Sequence, residues 1–224
     1  MKIWIARAEP GAGRTAERVR ALGHDPLVAP VLQVRSLPGE VDLDGVGALA
    51  FTSPNGVGAF AARCADRGLP VFAVGAATAR AARTAGFAAV ASADGDVAAL
   101  AALIAASRDR FAGLVLAPGA LEPAGDLLGG LYAKGVSARV QAIYETCAID
   151  APQALRLLSE LDVVLVHSPK GGRRLAETLA GHEVGHLAAL CISAEAAAPL
   201  AGLPLKSSTV AARPDEQSLF ALLR

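Results

Sequence analysis

Short apolar runs alternate along this chain with stretches whose apolar positions recur every three or four residues, a pattern of strands alternating with amphipathic helices. The clearest example occurs twice. Ala48 to Ala61, ALAFTSPNGVGAFA, is an apolar run ending in Ser-Pro, followed by a small polar residue, a glycine and a helix-like alternation; Val163 to Ala176, VVLVHSPKGGRRLA, repeats the design. Each copy predicts a strand, a tight turn and a helix start. Ser53 and Ser168 are placed as N-caps, Pro54 and Pro169 occupy a first helical position that needs no N–H, and the glycines let a ligand approach the backbone. Each copy is thus expected to offer an anion a hydroxyl and free amides at a helix start. The echo continues downstream, where VFAVGAAT (71–78) is matched by LCISAEAA (190–197), and Val90 to Leu103 by Val210 to Leu223.

Taken in order, the pattern predicts a strand over Lys2 to Ala6, a helix over Thr15 to Leu22 closed by Gly23, and an extended segment over Leu27 to Val34 interrupted by Pro30. A polar connector, Pro38 to Gly47, leads into strands near 48–52, 71–74, 88–91 and 113–117 with helices near 55–66, 77–85, 96–107 and 122–134; Ala138 to Cys147 completes five parallel strands. The second repeat supplies strands near 162–167, 188–192 and 208–212 with helices near 171–180, 194–200 and 215–223. Three strands are too few for a sheet covered on both faces, and Lys2 to Pro30 provides what is missing. The expected fold class is α/β: two similar domains, each a parallel sheet flanked by helices, joined by a two-stranded hinge. Domain 1 is discontinuous, residues 1–34 plus 149–224, domain 2 is inserted at 38–140, and the hinge segments lie at about 31–38 and 140–149. Ligands of open α/β sheets bind at the carboxyl ends of strands, so a cleft between two such edges suits a large polyanion.

The composition leaves room for that reading. Hydrophobic residues make up 53% of the chain, ample for packed cores, and 21 basic side chains balance 21 acidic ones. Without a long basic run or an aromatic-rich basic patch, general nucleic-acid binding has little electrostatic support. Anion recognition must therefore be local. Arg7 and Glu9 follow the first short apolar run too closely for a signal peptide, and no uncharged apolar stretch reaches the ~18 residues of a membrane span. Cys64, Cys147 and Cys191 are odd in number, widely spaced and set among apolar neighbours, as expected of buried thiols in a reducing compartment. A soluble, cytoplasmic protein is expected.

Two sequences mimic known sites. His182-Glu183-Val184-Gly185-His186 has the H-E-x-x-H spacing of zinc proteases, but Gly181 and Gly185 interrupt the helix that the spacing requires, which leaves a surface loop. Gly11-Ala12-Gly13-Arg14-Thr15-Ala16 resembles a dinucleotide fingerprint, yet Val28-Ala29-Pro30-Val31 stands where its acidic partner belongs, so these are read as turn glycines admitting a helix. No nucleophile, base and orienting acid can be traced as a triad. Neither a metal nor an organic cofactor is expected.

IARAEPG after the first strand, ALGHDPLVAPVLQVRSLP, FTSPNGV, FAVGAATA, VASADGD, AIYET, VHSPKGG, CISAEAAAPL and AARPDE, in that order and over almost the full length, resemble the uroporphyrinogen-III synthase family. Arg7 matches the arginine of the family's threonine-arginine-proline start. Departures are Ala6 and Ala8 beside it, Glu122 in APGALEPAGDL where the family usually has a glycine and a basic residue, and Ser193 and Glu195 where a threonine often follows the strand. The resemblance implies two α/β domains with a two-stranded linker, and an enzyme of tetrapyrrole and heme biosynthesis, a lyase that needs no cofactor. Its small-molecule substrate is hydroxymethylbilane, which carries eight carboxylates and is closed to uroporphyrinogen III with inversion of ring D and loss of water. The implied chemistry is departure of the ring A hydroxyl, attack by ring D at its substituted carbon, a spiro intermediate, fragmentation and reclosure. The enzyme's part is to bind carboxylates, exclude head-to-tail closure and hold reacting carbons close.

The resemblance and the paired turns together give as candidate substrate ligands Arg7, Thr52, Ser53, Asn55, Gly56, Gly75, Thr78, Ser168, Lys170, Gly171 and Ser193, and Tyr144 as proton donor to the departing hydroxyl. A monomer without nucleic-acid or membrane partners is expected. The rival is a non-catalytic two-lobed sensor that closes on an anionic metabolite, which would use the same turns.

Overall fold

The computed structural model describes residues 1–123 and 125–223; Ala124, inside the helix expected near 122–134, and Arg224, at the end of the expected first domain, lie outside them. The chain opens on β1 (Lys2–Ile5), which Trp4 secures by donating its indole N–H to the Ala29 carbonyl at 2.7 Å. Helix α1 (Gly11–Ala21) starts before the expected Thr15. The Glu9 carboxylate accepts from Gly13 N–H at 3.0 Å, and burial of Ala12, Ala16 and Val19 offsets the low helix propensity of the two glycines. Gly23, at φ +80°, closes the helix. The extended segment around Pro30 splits into β2 (Asp25–Val28) and β3 (Leu32–Ser36).

Next come β4 (Val46–Phe51), α2 (Pro54–Ala61), β5 (Val71–Ala73), α3 (Ala76–Thr84), β6 (Val90–Ser92), α4 (Val97–Ala106), β7 (Leu114–Ala120), α5 (Leu127–Tyr132) and β8 (Ala138–Ala148). Helix α5 is shorter than expected because β7 runs on to Ala120 and Leu121 N–H is taken by the Tyr144 carbonyl at 2.8 Å. After an unexpected short helix, α6 (Pro152–Arg156), the chain repeats its earlier order as β9 (Val163–Val166), α7 (Pro169–Leu179), β10 (Ala188–Cys191), α8 (Ala194–Ala197), β11 (Ser207–Val210) and α9 (Glu216–Ala221).

Packing divides the chain into two units, Met1–Val34 with Cys147–Arg224, and Arg35–Thr146. The first holds a sheet in the order β11-β10-β9-β1-β2, all neighbours parallel. Both faces are covered: Ile3, Ile5, Val19, Leu165, Leu219 and Phe220 form one core, and Trp4, Val164, Val166, Leu175 and Ala189 form the other.

The second unit holds the order β8-β7-β4-β5-β6, again parallel, with β3 added outside β8. Leu37 N–H bonds the Ile143 carbonyl and Ile149 N–H the Val31 carbonyl, 3.0 Å each, so β3 and β8 run in opposite directions. One face packs Ala48, Phe72, Leu100, Ile104 and Leu131; the other holds the rings of Phe51, Phe60 and Phe87, with centroids 5.7–6.3 Å apart. In each unit the chain moves outward over three strands (β4, β5, β6 or β9, β10, β11), while the remaining strands lie on the other side of the first. The topological switch point is therefore between β4 and β7 in one unit and between β9 and β1 in the other.

Candidate functional site

At the end of β4, Thr52 is exposed and Ser53 takes an extended conformation, φ −156° and ψ 145°, as the N-cap of α2. Its Oγ accepts from Asn55 N–H at 3.1 Å, and its carbonyl takes Gly56 N–H at 3.1 Å. In the other unit Ser168 caps α7 in the same way, with Oγ accepting from Gly171 N–H at 3.0 Å and its carbonyl from Gly172 N–H at 2.9 Å. The amides of Asn55, Gly56 and Gly171, expected to be open to a ligand, are thus in use. Serine's strength as an N-cap is the reason. Neither hydroxyl proton is given to any group among the described residues, so both remain available to a carboxylate. Lys170 follows as the second residue of α7.

Helix α3 differs. Gly75 supplies no side-chain cap, and the amides of Ala76, Ala77 and Thr78 have no partner among the described residues, nor does the Thr78 hydroxyl, although Thr78 is only 3% exposed. Across the switch point from α2 stands Tyr144, on β8 and 5% exposed. A Cβ at Gly56 would come within 3.1 Å of the Pro118 carbonyl oxygen and 3.8 Å of Tyr144 Cε1, so glycine is what lets the start of α2 lie beside the ring. The Tyr144 hydroxyl has no hydrogen bond among the described residues. Thr52, Ser53, Asn55, Gly56, Gly75, Thr78 and Tyr144 therefore gather at the carboxyl edge of one sheet.

Arg7, Ser168, Lys170 and Gly171 gather at the switch point of the other sheet, where β1 and β9 end. Ser193 caps α8, its Oγ accepting from Ala196 N–H at 3.3 Å. That helix start already has an anion, because hydrogen bonds from Glu195's own backbone N–H and from Ser193 hold the exposed Glu195 carboxyl below its ordinary range. Carboxylates from the chain likewise sit on the starts of α1 (Glu9), α4 (Asp96), α5 (Asp126) and α9 (Asp215). Helices α2, α3 and α7 begin on serine or glycine instead, with no acidic residue in the first turn. The five-residue α6 also lacks a first-turn acid, but it opens on Ala151 and Pro152 with no capping side chain, which leaves the three longer helices as the starts suited to a foreign anion.

Arg7 is not solitary. Its Nη1 donates to Glu216 Oε1 at 2.5 Å and to Thr15 Oγ1 at 3.4 Å; Thr15 also donates to Oε1, at 2.9 Å, and Arg18 Nη1 to Oε2 at 2.9 Å. His167, the residue before Ser168, has a side chain only 5% exposed, with Nε2 3.5 Å from Oε1. That separation is too long for a good hydrogen bond, and neither ring nitrogen has a partner among the described residues. Burial, the largest cause, pushes the imidazole below its ordinary value, with the charge of Arg7 adding to the shift and Glu216 opposing it. Burial acts to raise the Glu216 carboxyl, but His167, Thr15 and Arg7 bring it down to about 2. Burial likewise lowers Arg7, which stays charged.

Sequence reasoning missed His167 and Glu216. His167 aligns with Thr52 in the repeat, so a polar residue at that strand end was visible, but its burial was not. Glu216 follows the capping Asp215 and reads as an ordinary first-turn acid. The H-E-x-x-H segment lies beyond the end of α7, with His186 Nε2 2.9 Å from the Leu158 carbonyl oxygen. Among the described residues no three of His, Cys, Asp or Glu are grouped to hold a metal ion, and no helix is long and apolar enough to cross a membrane.

The family model described as Uroporphyrinogen-III synthase HemD matches residues 13–221. No curated protein matches the chain. Among solved structures, the uroporphyrinogen-III synthetase of Helicobacter pylori 26695 is similar at 18% identity and TM-score 0.67, covering 99% of this chain and 97% of its own. A mutant uroporphyrinogen III synthase from the extremely thermophilic bacterium Thermus thermophilus is similar at 18% identity and TM-score 0.52, covering 100% and 98%. At these identities the likeness is one of fold.

Proposed function

The chain belongs to the uroporphyrinogen-III synthase family, and from that premise we propose how its residues divide the family's reaction, the cyclisation of hydroxymethylbilane to uroporphyrinogen III with inversion of ring D and loss of water. It is an enzyme of heme biosynthesis acting on a small molecule. Carboxylates of the substrate are held at the carboxyl edges of the sheets: by the amides of Ala76, Ala77 and Thr78 with the Thr78 hydroxyl, by the hydroxyl protons of Ser53 and Ser168, and by Arg7. The observation that carries this reading is the contrast between helix starts: five bear the chain's own carboxylates, and of the four that bear none, α2, α3 and α7 begin on serine or glycine and are longer than the five-residue α6.

Tyr144 donates a proton as the substrate hydroxyl departs. Its support is a hydroxyl without a hydrogen bond among the described residues, on a buried ring beside the start of α2. The electron-rich pyrroles then drive attack, fragmentation and reclosure, while the protein holds conformation. The segments crossing between the units, about 31–38 and 140–149, serve as a two-stranded hinge between domains 1–34 plus 149–224 and 38–140. The reaction is a lyase reaction requiring no cofactor, run by a cytoplasmic monomer. No observation favours the sensor reading over it.

Purified protein incubated with hydroxymethylbilane, followed by oxidation and separation of the porphyrin isomers, tests the proposal. Isomer III in excess over the spontaneous isomer I is the expected result. Isomer I alone would remove the function.

A further inference from the structure

Arg7, Glu216, Thr15, Arg18 and His167 come from the ends of β1 and β9, the face of α1 and the start of α9, with Arg7 and Glu216 separated by 209 residues. The geometry points to Glu216 as a positioning residue that aims Arg7 at a substrate carboxylate, an inference that rests on the substrate reading above. A guanidinium carries five N–H donors, and its Nε–Nη2 edge forms a fork that matches a carboxylate. Here both Nη1 bonds are spent inside the protein, on Glu216 and Thr15, whereas Nε and Nη2 have no partner among the described residues. The side chain is 31% exposed, and neither Nε nor Nη2 is among the fully buried unpartnered atoms of the described residues.

Gly11 fixes the other side. A Cβ there would fall 2.5 Å from Arg7 Nε, 2.7 Å from Cζ and 2.8 Å from Nη2, so the guanidinium rests where only glycine permits it. This gives the first glycine of the G-A-G-R-T-A run a purpose unrelated to nucleotides. The charges leave a remainder as well. Arg7 and Arg18 are positive, Glu216 is negative, and buried His167 is neutral, which leaves one positive charge facing a substrate that carries carboxylates. Glu216 thus orients the arginine without neutralising the cluster.

The bland alternative is that Glu216 only ties α9 to α1 through Arg18 and Thr15. Steady-state kinetics with hydroxymethylbilane on Glu216→Gln, Arg7→Ala and the double variant separate the two, with melting temperature measured in parallel. A positioning role raises KM roughly fivefold in Glu216→Gln and about tenfold or more in Arg7→Ala, with kcat little changed, and Glu216→Gln adds nothing once Arg7 is gone. A purely structural tie lowers melting temperature in both backgrounds and leaves KM where it was, which overturns the inference. Should Glu216→Gln fail to fold, Gly11→Ala displaces the guanidinium from the opposite side and improves helix propensity; it must raise KM by a similar factor, and an unmoved KM overturns the inference. A rise in KM for Arg7→Ala alone, with Glu216→Gln and Gly11→Ala both unmoved, likewise overturns the positioning role while the substrate reading stands. Absence of isomer III from the wild-type protein would be a failure of that reading, distinct from any of these.

Discussion

Replacing Ser53 or Ser168 with alanine removes one oxygen that has two separable duties. As a cap, Ser53 Oγ accepts from Asn55 N–H at 3.1 Å and Ser168 Oγ from Gly171 N–H at 3.0 Å. Loss of an N-cap costs about 0.5–2 kcal/mol, and each kcal/mol lowers the melting temperature by about 2–8 °C in domains of this size. As a ligand, each hydroxyl still has its proton to give, since neither donates within the described residues. A hydrogen bond to a charged partner contributes about 1.5–3 kcal/mol, which is roughly 10- to 150-fold in an equilibrium constant. Both variants are therefore expected to melt a few degrees early and also to raise KM for hydroxymethylbilane by roughly tenfold, with kcat little affected because the contact is made before the transition state. The double variant should lose at least the sum if one substrate engages both serines. Early melting with unmoved KM in both single variants would refute the ligand role and leave the serines as caps alone.

Tyr144→Phe removes only the hydroxyl from a buried ring and should lower kcat by about 10²–10⁴-fold with folding intact; wild-type turnover would take Tyr144 out of the chemistry. Glu216 has a folded pKa of about 2 against an ordinary 4.5, so its stabilising contribution is complete above pH 4.5 and is lost as pH falls toward 2. Buried His167, whose pKa is lowered, works in the same direction by penalising the folded state once pH drops below its ordinary 6.5. Acid titration monitored by circular dichroism should show Glu216→Gln losing part of the dependence between pH 4.5 and 2, the rest belonging to carboxyls such as Glu195 and Asp215 that are also held low, while keeping the limb below 6.5; an unchanged lower limb would mean that Glu216 is not a contributing group.

The α/β alternation was legible because each element declares itself locally. Apolar β4 and β9 end in Ser-Pro, and both serines cap the next helix as their spacing implied. Legibility failed where a distant partner decides. Helix α1 begins at Gly11, against propensity, because Glu9 caps Gly13 and because Ala12, Ala16 and Val19 meet Ile3 and Ile5 in one core. Two features trim α5 to Leu127–Tyr132: β7 extends to Ala120, and Asp126 caps at Gly129. At the site the same division holds. Thr78 and Gly75 were visible in the strand-turn-helix pattern, and the structure gathers them with Tyr144 at one sheet edge. The partnership of Arg7 with Glu216 was not visible, since 209 residues separate them and each has an ordinary local reading. His167 sits where the first repeat has Thr52, and only the packing around β9 distinguishes a buried imidazole from an exposed hydroxyl.

A chain with no net charge that binds a substrate of many carboxylates cannot rely on a general positive field, so where it places its own acids matters as much as where it places its arginines. Own carboxylates at the starts of α1, α4, α5, α8 and α9 satisfy those amides and repel a second anion, whereas α2, α3, α7 and the short α6 carry none, and the first three are the starts proposed above for the substrate. If this division by occupancy operates, adding a carboxylate to an open start should stabilise the fold and weaken the enzyme. Gly75 is the position to use. Its φ of −162° is extended backbone that any residue adopts, a Cβ there meets nothing within 4 Å, and the amides behind it are unpartnered among the described residues. Gly75→Asp should gain a few tenths of a kcal/mol as a cap and about 0.3–1 kcal/mol from the helix dipole, raising the melting temperature by a few degrees. The same carboxylate would occupy the amides of Ala76, Ala77 and Thr78 and raise KM for hydroxymethylbilane by roughly tenfold, the lower end of what one charged contact contributes. Gly75→Asn caps with less charge and should share the stability while keeping more of the affinity. A Gly75→Asp protein that is more stable and binds substrate as tightly as before would show that α3 is not a carboxylate site.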